Sequence, residues 1–238
     1  EDVETYRSDI THARSSKIAI GIAFFRAGEA FFGYTPSWGI LTGVRPAKIA
    51  AEMLHMGNDY NTIRQRLTKE YFLNPKKALV CADIVVNEDR IIASLPERSC
   101  SLYISIPFCP TRCAYCSFVS YATPRLLSMI PEYLERLLFD INCVLDEIKA
   151  QNLRVITVYI GGGTPTTLTA EQLAKLLDCV NQKLDRTWLR EFTLEAGRPD
   201  TITAEKLKAA KAGGVTRISI NPQTLNDEVL RTIGRRHT

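Results

Sequence analysis

From Ser101 onward, short β-branched or aromatic runs in this chain are each followed by a turn and then by a helical pattern. The runs cover residues 102–106, 155–160, 191–195 and 217–220. Leu134, Leu137, Leu138, Ile141, Leu145 and Ile148 mark one apolar helix face between the first two. Strands separated by helices pair in parallel, because each crossover carries the chain back to the same end of the sheet. Thr169 with Gln172 reads as a capping box that opens the second helix, and Gly213-Gly214 ends the third. Four βα units are half of an eight-unit barrel and too few to close one. The expected class is α/β, a partial (β/α) barrel whose sheet stays open or is completed by other residues.

Residues 1–97 read differently. Pro46 opens a helical run through Met56, residues 60–71 form a second, and Asn74 followed by Pro75 reads as an N-cap with proline at the first helical position. Residues 17–32 are apolar enough for helix or strand, and helix is the preferred reading. The expected organisation is a mainly helical region over 1–97 followed by the βα region over 98–238. Glu1 is not a start methionine and residues 235–238 follow directly on a helical pattern, so both ends read as cut.

Lys and Arg number 30 against 26 Asp and Glu, with no basic block and no interleaved aromatics, which argues against a nucleic-acid face. No apolar run approaches the ~20 residues of a membrane span, and no short apolar stretch opens the chain as a secretion signal. A cytoplasmic protein is expected. The seven cysteines are odd in number and uneven in placement, which is not a disulfide framework. Cys143 and Cys179 fall in amphipathic helical patterns and are expected as small buried apolar residues.

The remaining chemistry lies in Cys109-Pro-Thr-Arg-Cys113-Ala-Tyr-Cys116, directly after the first strand. With C-x3-C-x2-C spacing, three thiolates can each bind one iron of a cubane and leave the fourth iron open to a chelating molecule. Loops after parallel strands lie at the carboxyl edge of the sheet, where α/β barrels build active sites. Zinc is the competing metal, but structural zinc takes four protein ligands. No fourth is evident: Cys100 lies at the far end of the strand, and His12, His55 and His237 are distant in sequence. The cluster is the preferred reading.

At these residues the sequence resembles the radical S-adenosylmethionine superfamily, whose loop carries an aromatic residue before the last cysteine, here Tyr115. More narrowly it is similar to the oxygen-independent coproporphyrinogen III oxidase family. Residues 41–49, Leu-Thr-Gly-Val-Arg-Pro-Ala-Lys-Ile, resemble a signature of its coproporphyrinogen dehydrogenase branch, although sequence physics alone favours a plain Gly/Pro turn opening a helix at Pro46.

The resemblance implies a [4Fe–4S] cluster on Cys109, Cys113 and Cys116, and S-adenosyl-L-methionine as cofactor. Its contacts would be Tyr103, Tyr115, the glycine motif carrying Gly162, Gly163 and Thr164, Glu195, the ribose contact Gln223, and Arg235 against the methionyl carboxylate. It further implies a partial radical-SAM barrel, oxidative decarboxylation of coproporphyrinogen III propionates to vinyls in anaerobic haem biosynthesis, and an electron donor such as flavodoxin or ferredoxin. Two further βα units and a C-terminal substrate-binding region would follow residue 238. Two positions depart from the family. Phe118 stands where decarboxylating members have a fourth cysteine, which resembles relatives that carry haem, and Ser105 stands where the family has a histidine. A haem chaperone or carrier, or a cluster-binding domain without turnover, are the alternatives.

Overall fold

The structure, a computed structural model, describes residues 13–41 and 45–238. Thr42, Gly43 and Val44 of the 41–49 signature lie outside the described residues. The chain divides into two compact units, Glu1–Ser94 and Leu95–Thr238.

The first unit holds helices α1 (Ala13–Phe32), α2 (Ala47–His55), α3 (Tyr60–Glu70) and α4 (Pro75–Ala93). Residues 17–32 are thus helical, as preferred. Local chemistry starts two of these helices: Asp59 accepts from the Thr62 N–H, Asn74 accepts from the Lys76 N–H, and Pro75 supplies a pre-set φ at the first helical position. Met53, Ile63, Leu67, Leu73, Cys81 and Val85 form the core of this unit. Burying Ile63 and Leu67 completely contributes roughly 1.5–3 kcal/mol each.

In the second unit four strands, β1 (Ser99–Ile106), β2 (Arg154–Gly162), β3 (Glu191–Ala196) and β4 (Arg217–Ile220), pair in parallel in the order β1-β2-β3-β4. Between and after them run α5 (Pro124–Leu127), α6 (Ile130–Ala150), α7 (Ala170–Lys183), α8 (Ala204–Ala212) and α9 (Asp227–Thr232). This is the α/β partial barrel expected, with four βα units. The capping box of Thr169 and Gln172 is formed, and Gly214 (φ 79°) follows the Gly213 C-cap of α8. β1 and β2 run beyond the apolar segments because the parallel ladder continues through Ser99 and Arg154 at one end and Gly161 and Gly162 at the other. Backbone pairing carries no hydropathy signature there.

One sheet face is apolar and covered: Ile104, Ile106, Val158, Ile160, Phe192 and Leu194 pack with Leu134, Ile141 and Leu145 of α6 and Leu173, Leu176 and Leu177 of α7. The alternate residues of the strands point to the other face, where Tyr103 pairs in register with Tyr159, and Glu195 with Ser219. Cys179 is buried as expected; Cys143 is not. The buried stripe of α6 includes Ile141 and Leu145, and a residue two positions from both points about 200° away from them. Among the described residues no helix is long and apolar enough to cross a membrane.

Candidate cluster and cofactor site

All four strands end on one edge, and the sequence-predicted residues gather there. The cysteine loop leaves β1 and is pinned at its base: Cys109 N–H donates to Tyr121 O (3.1 Å) and Tyr121 N–H to Pro107 O (2.7 Å), beside a Phe108–Tyr121 bridge. Inside the loop Cys116 N–H donates to Cys113 O at 3.0 Å. From the far end of the unit, Ile233 O accepts from Ala114 N–H (3.1 Å) and Gly234 O from the Thr111 hydroxyl (3.0 Å). The loop is therefore held from both ends of the βα array.

The glycine motif after β2 packs directly under it. Gly163 N–H donates to Ile106 O and Thr164 N–H to Phe108 O. The Thr164 hydroxyl lies 3.2 Å from the Cys109 sulfur, with both side chains buried. A methyl group at Gly163 would sit 2.8 Å from Phe108 O and 3.0 Å from the Cys109 sulfur; at Gly162, where φ is 109°, it would strike Ser105. The close approach that demands these two glycines is made by the chain itself, which joins the motif to the cysteine loop. Ser105, in place of the family histidine, fits against Gly162.

Glu195 ends β3 on the open sheet face, where Asn221 approaches its carboxylate at 3.5 Å. Burial lifts its carboxyl above the ordinary value, while the Tyr159 hydroxyl and the Gly162 N–H pull it back. Tyr103 is 60% exposed and stacks on Tyr159, ring centroids 5.8 Å apart and 10° from parallel, so it is a surface of the open face rather than core. Gln223, exposed on the turn after β4, takes a left-handed backbone (φ 72°).

Arg235 is buried and stitches three segments: Nη1 donates to Gly197 O (2.9 Å) and Asn221 O (3.3 Å), and Nη2 to the Tyr115 hydroxyl (3.0 Å). Among the described residues its Nε is buried without a partner. Sequence reading missed Arg198, Tyr159 and Asn221. Arg198 reaches Thr111 and Cys113 from the end of β3, and nothing in its neighbours, Gly197 and Pro199, marks it as more than a surface cation.

Whether this edge suits an iron–sulfur cluster turns on the donor set. Cys109, Cys113 and Cys116 are free thiols, close enough that charge on the latter two raises the Cys109 thiol, which burial lifts first. Among the described residues no three Cys, His, Asp or Glu groups converge on a single metal ion. By donor chemistry, three thiols on one short loop match a cubane that keeps one iron open, whereas a structural zinc takes four protein ligands. The unpartnered Arg235 Nε and the half-buried Glu195 add one donor and one acceptor at the same edge. The residues fit.

A parallel half-barrel with a three-cysteine loop at its carboxyl edge defines a class. The family model described as "Radical SAM superfamily" matches residues 103–238, and the chain belongs to that superfamily. Its members as a class use an iron–sulfur cluster and S-adenosylmethionine. Within it, the chain is 39% identical over 228 residues to the oxygen-independent coproporphyrinogen-III oxidase-like protein HemZ of Bacillus subtilis, an alignment covering 93% of this chain and 45% of that protein. It is 43% identical over 138 residues to the Heme chaperone HemW of the same organism, covering 58% of this chain and 35% of the relative. The solved coproporphyrinogen III oxidase (HemN) of Escherichia coli, described as a radical SAM enzyme, superposes with a TM-score of 0.52 at 28% identity, over 63% of this chain and 33% of that one. The chain thus spans less than half the length of these relatives.

Proposed function

We propose that this chain is the cluster- and cofactor-binding part of a radical S-adenosylmethionine oxidoreductase that acts on a tetrapyrrole. Cys109, Cys113 and Cys116 ligate a [4Fe–4S] cluster, and Tyr103, Tyr115, Gly162, Gly163, Thr164, Glu195, Gln223 and Arg235 surround the cofactor. The observation that carries this reading is the gathering of three free thiols and the Glu195 carboxylate on one edge of a parallel sheet. When bound, cluster and cofactor supply one-electron chemistry that ends in hydrogen abstraction from a substrate carbon. Thr164 orients the Cys109 sulfur, and Gly163 lets that sulfur lie against the sheet edge. Glu195 accepts hydrogen bonds from amino or hydroxyl groups of the ligand, and Arg235 offers its free Nε while its other nitrogens brace the loop. The substrate proposed is coproporphyrinogen III, each propionate becoming a vinyl by losing carbon dioxide together with one hydrogen atom and one electron, with flavodoxin or ferredoxin as the electron donor that starts each turnover and a one-electron acceptor taking the electron released. The HemZ alignment along 93% of the chain supports this branch. The free thiols suit a reducing, cytoplasmic setting.

A second reading, a haem chaperone, is favoured by Phe118, 71% exposed two positions after the third cysteine. Anaerobic iron and sulfide analysis with electron paramagnetic resonance, with and without S-adenosylmethionine, tests the first. About four irons per chain and a signal that shifts with cofactor and disappears in Cys113→Ala are expected. One tight zinc and no signal overturns it. Cofactor cleavage with coproporphyrinogen turnover then selects the oxidoreductase; haem binding without turnover selects the chaperone.

A further inference from the structure

The most deeply buried charged side chain at this edge is one to which the proposed chemistry gives no task. Arg198 is 2% exposed at the turn after β3. Its Nη1 donates to Thr111 O (3.0 Å) and Thr111 Oγ1 (2.8 Å) and lies 3.7 Å from the Cys113 sulfur. The opposite side of the guanidinium faces Asp200, Nε to Oδ1 at 3.3 Å and Nη2 to Oδ2 at 3.4 Å. A buried cation is therefore shared between a carboxylate and a sulfur of the cysteine loop.

Resting on the cluster reading above, we infer that Arg198 is a positioning residue that sets the reduction potential of the cluster through Cys113, and that Asp200 moderates it. Two terms act in one direction. Reduction adds negative charge to the cluster, which a nearby buried cation stabilises. Hydrogen bonding to a ligand sulfur also draws electron density from the thiolate, and both favour the reduced state. Asp200 opposes them by neutralising part of the guanidinium charge at short range. The two contacts to Thr111 hold the first half of the loop at the distance where this works. Burial keeps water from screening the charge.

The test is a redox titration of the reconstituted chain followed by electron paramagnetic resonance, comparing wild type, Arg198→Gln and Asp200→Asn. Arg198→Gln should shift the midpoint to more negative potential and Asp200→Asn to less negative potential. A purely structural role produces no such pair of opposite shifts. A wild-type protein that takes up no four-iron cluster defeats the cluster reading and this inference together. Cluster in all three proteins with coincident midpoints, or shifts of the same sign, overturns this inference alone. If Arg198→Gln holds no cluster, Asp200→Asn decides, and an unmoved midpoint there overturns the assignment.

Discussion

The sulfur of Cys109 and the hydroxyl of Thr164 lie 3.2 Å apart, although 55 positions separate them in the chain. This contact fastens the cysteine loop of β1 to the glycine motif of β2, so the two motifs form one structure. Replacing Thr164 by valine keeps the volume and removes the oxygen. Urea unfolding of the metal-free protein should show a loss of about 1 kcal/mol. The hydroxyl also holds down the Cys109 thiol that burial raises, so the pH midpoint of alkylation should move upward in the variant.

The same thiol gives the metal-free protein a pH dependence. The folded value lies above the ordinary 9.0, so the stability it contributes is fully present below pH 9 and is lost as pH rises through the folded value. Urea midpoints measured upward from pH 8 should fall, and the part due to Cys109 should vanish in Cys109→Ala.

Gly163→Ala should release the loop. The added methyl would meet Phe108 O at 2.8 Å, a backbone atom that cannot swing aside. We expect a cost of roughly 1–3 kcal/mol and severely reduced iron uptake. Far-ultraviolet circular dichroism should remain that of wild type, because the contact lies outside the strand ladder.

Glu195→Gln separates stability from binding. Burial raises the carboxyl above its ordinary 4.5, so the wild-type protein loses stability as pH rises through the folded value, and glutamine does not. The variant should be the more stable protein at neutral pH and match wild type near pH 4, while losing affinity for S-adenosylmethionine by calorimetry. Equal stability at both pH values would show that the carboxylate is not strained by its site.

Arg235→Lys keeps the charge but not the fork that reaches Gly197, Asn221 and Tyr115 together. A loss of roughly 1.5–3 kcal/mol is expected in urea unfolding. Tyr115 fluorescence or hydrogen exchange in the loop should report greater freedom.

Much of this was legible in the chain before folding. Period-two and period-3.6 patterns, the Asn74, Thr169 and Gly214 signals, and the C-x3-C-x2-C spacing are local, because a side chain's direction along a strand or helix depends only on its neighbours in sequence. These determined four parallel βα units and a helical N-terminal region, and they singled out the three thiols of the loop. Cys143 shows the limit: an amphipathic pattern tells that a helix has a buried face, yet two positions of offset put this cysteine outside it. Only the tertiary structure decided which polar groups meet the loop. Arg198 reaches Cys113 across 85 positions and Arg235 reaches Tyr115 across 120, and each contact depends on strand register and on the crossing of separate βα units. No local pattern encodes such a meeting, since the energy that fixes it resides in the packed sheet and its covering helices rather than in the segments that bear the residues.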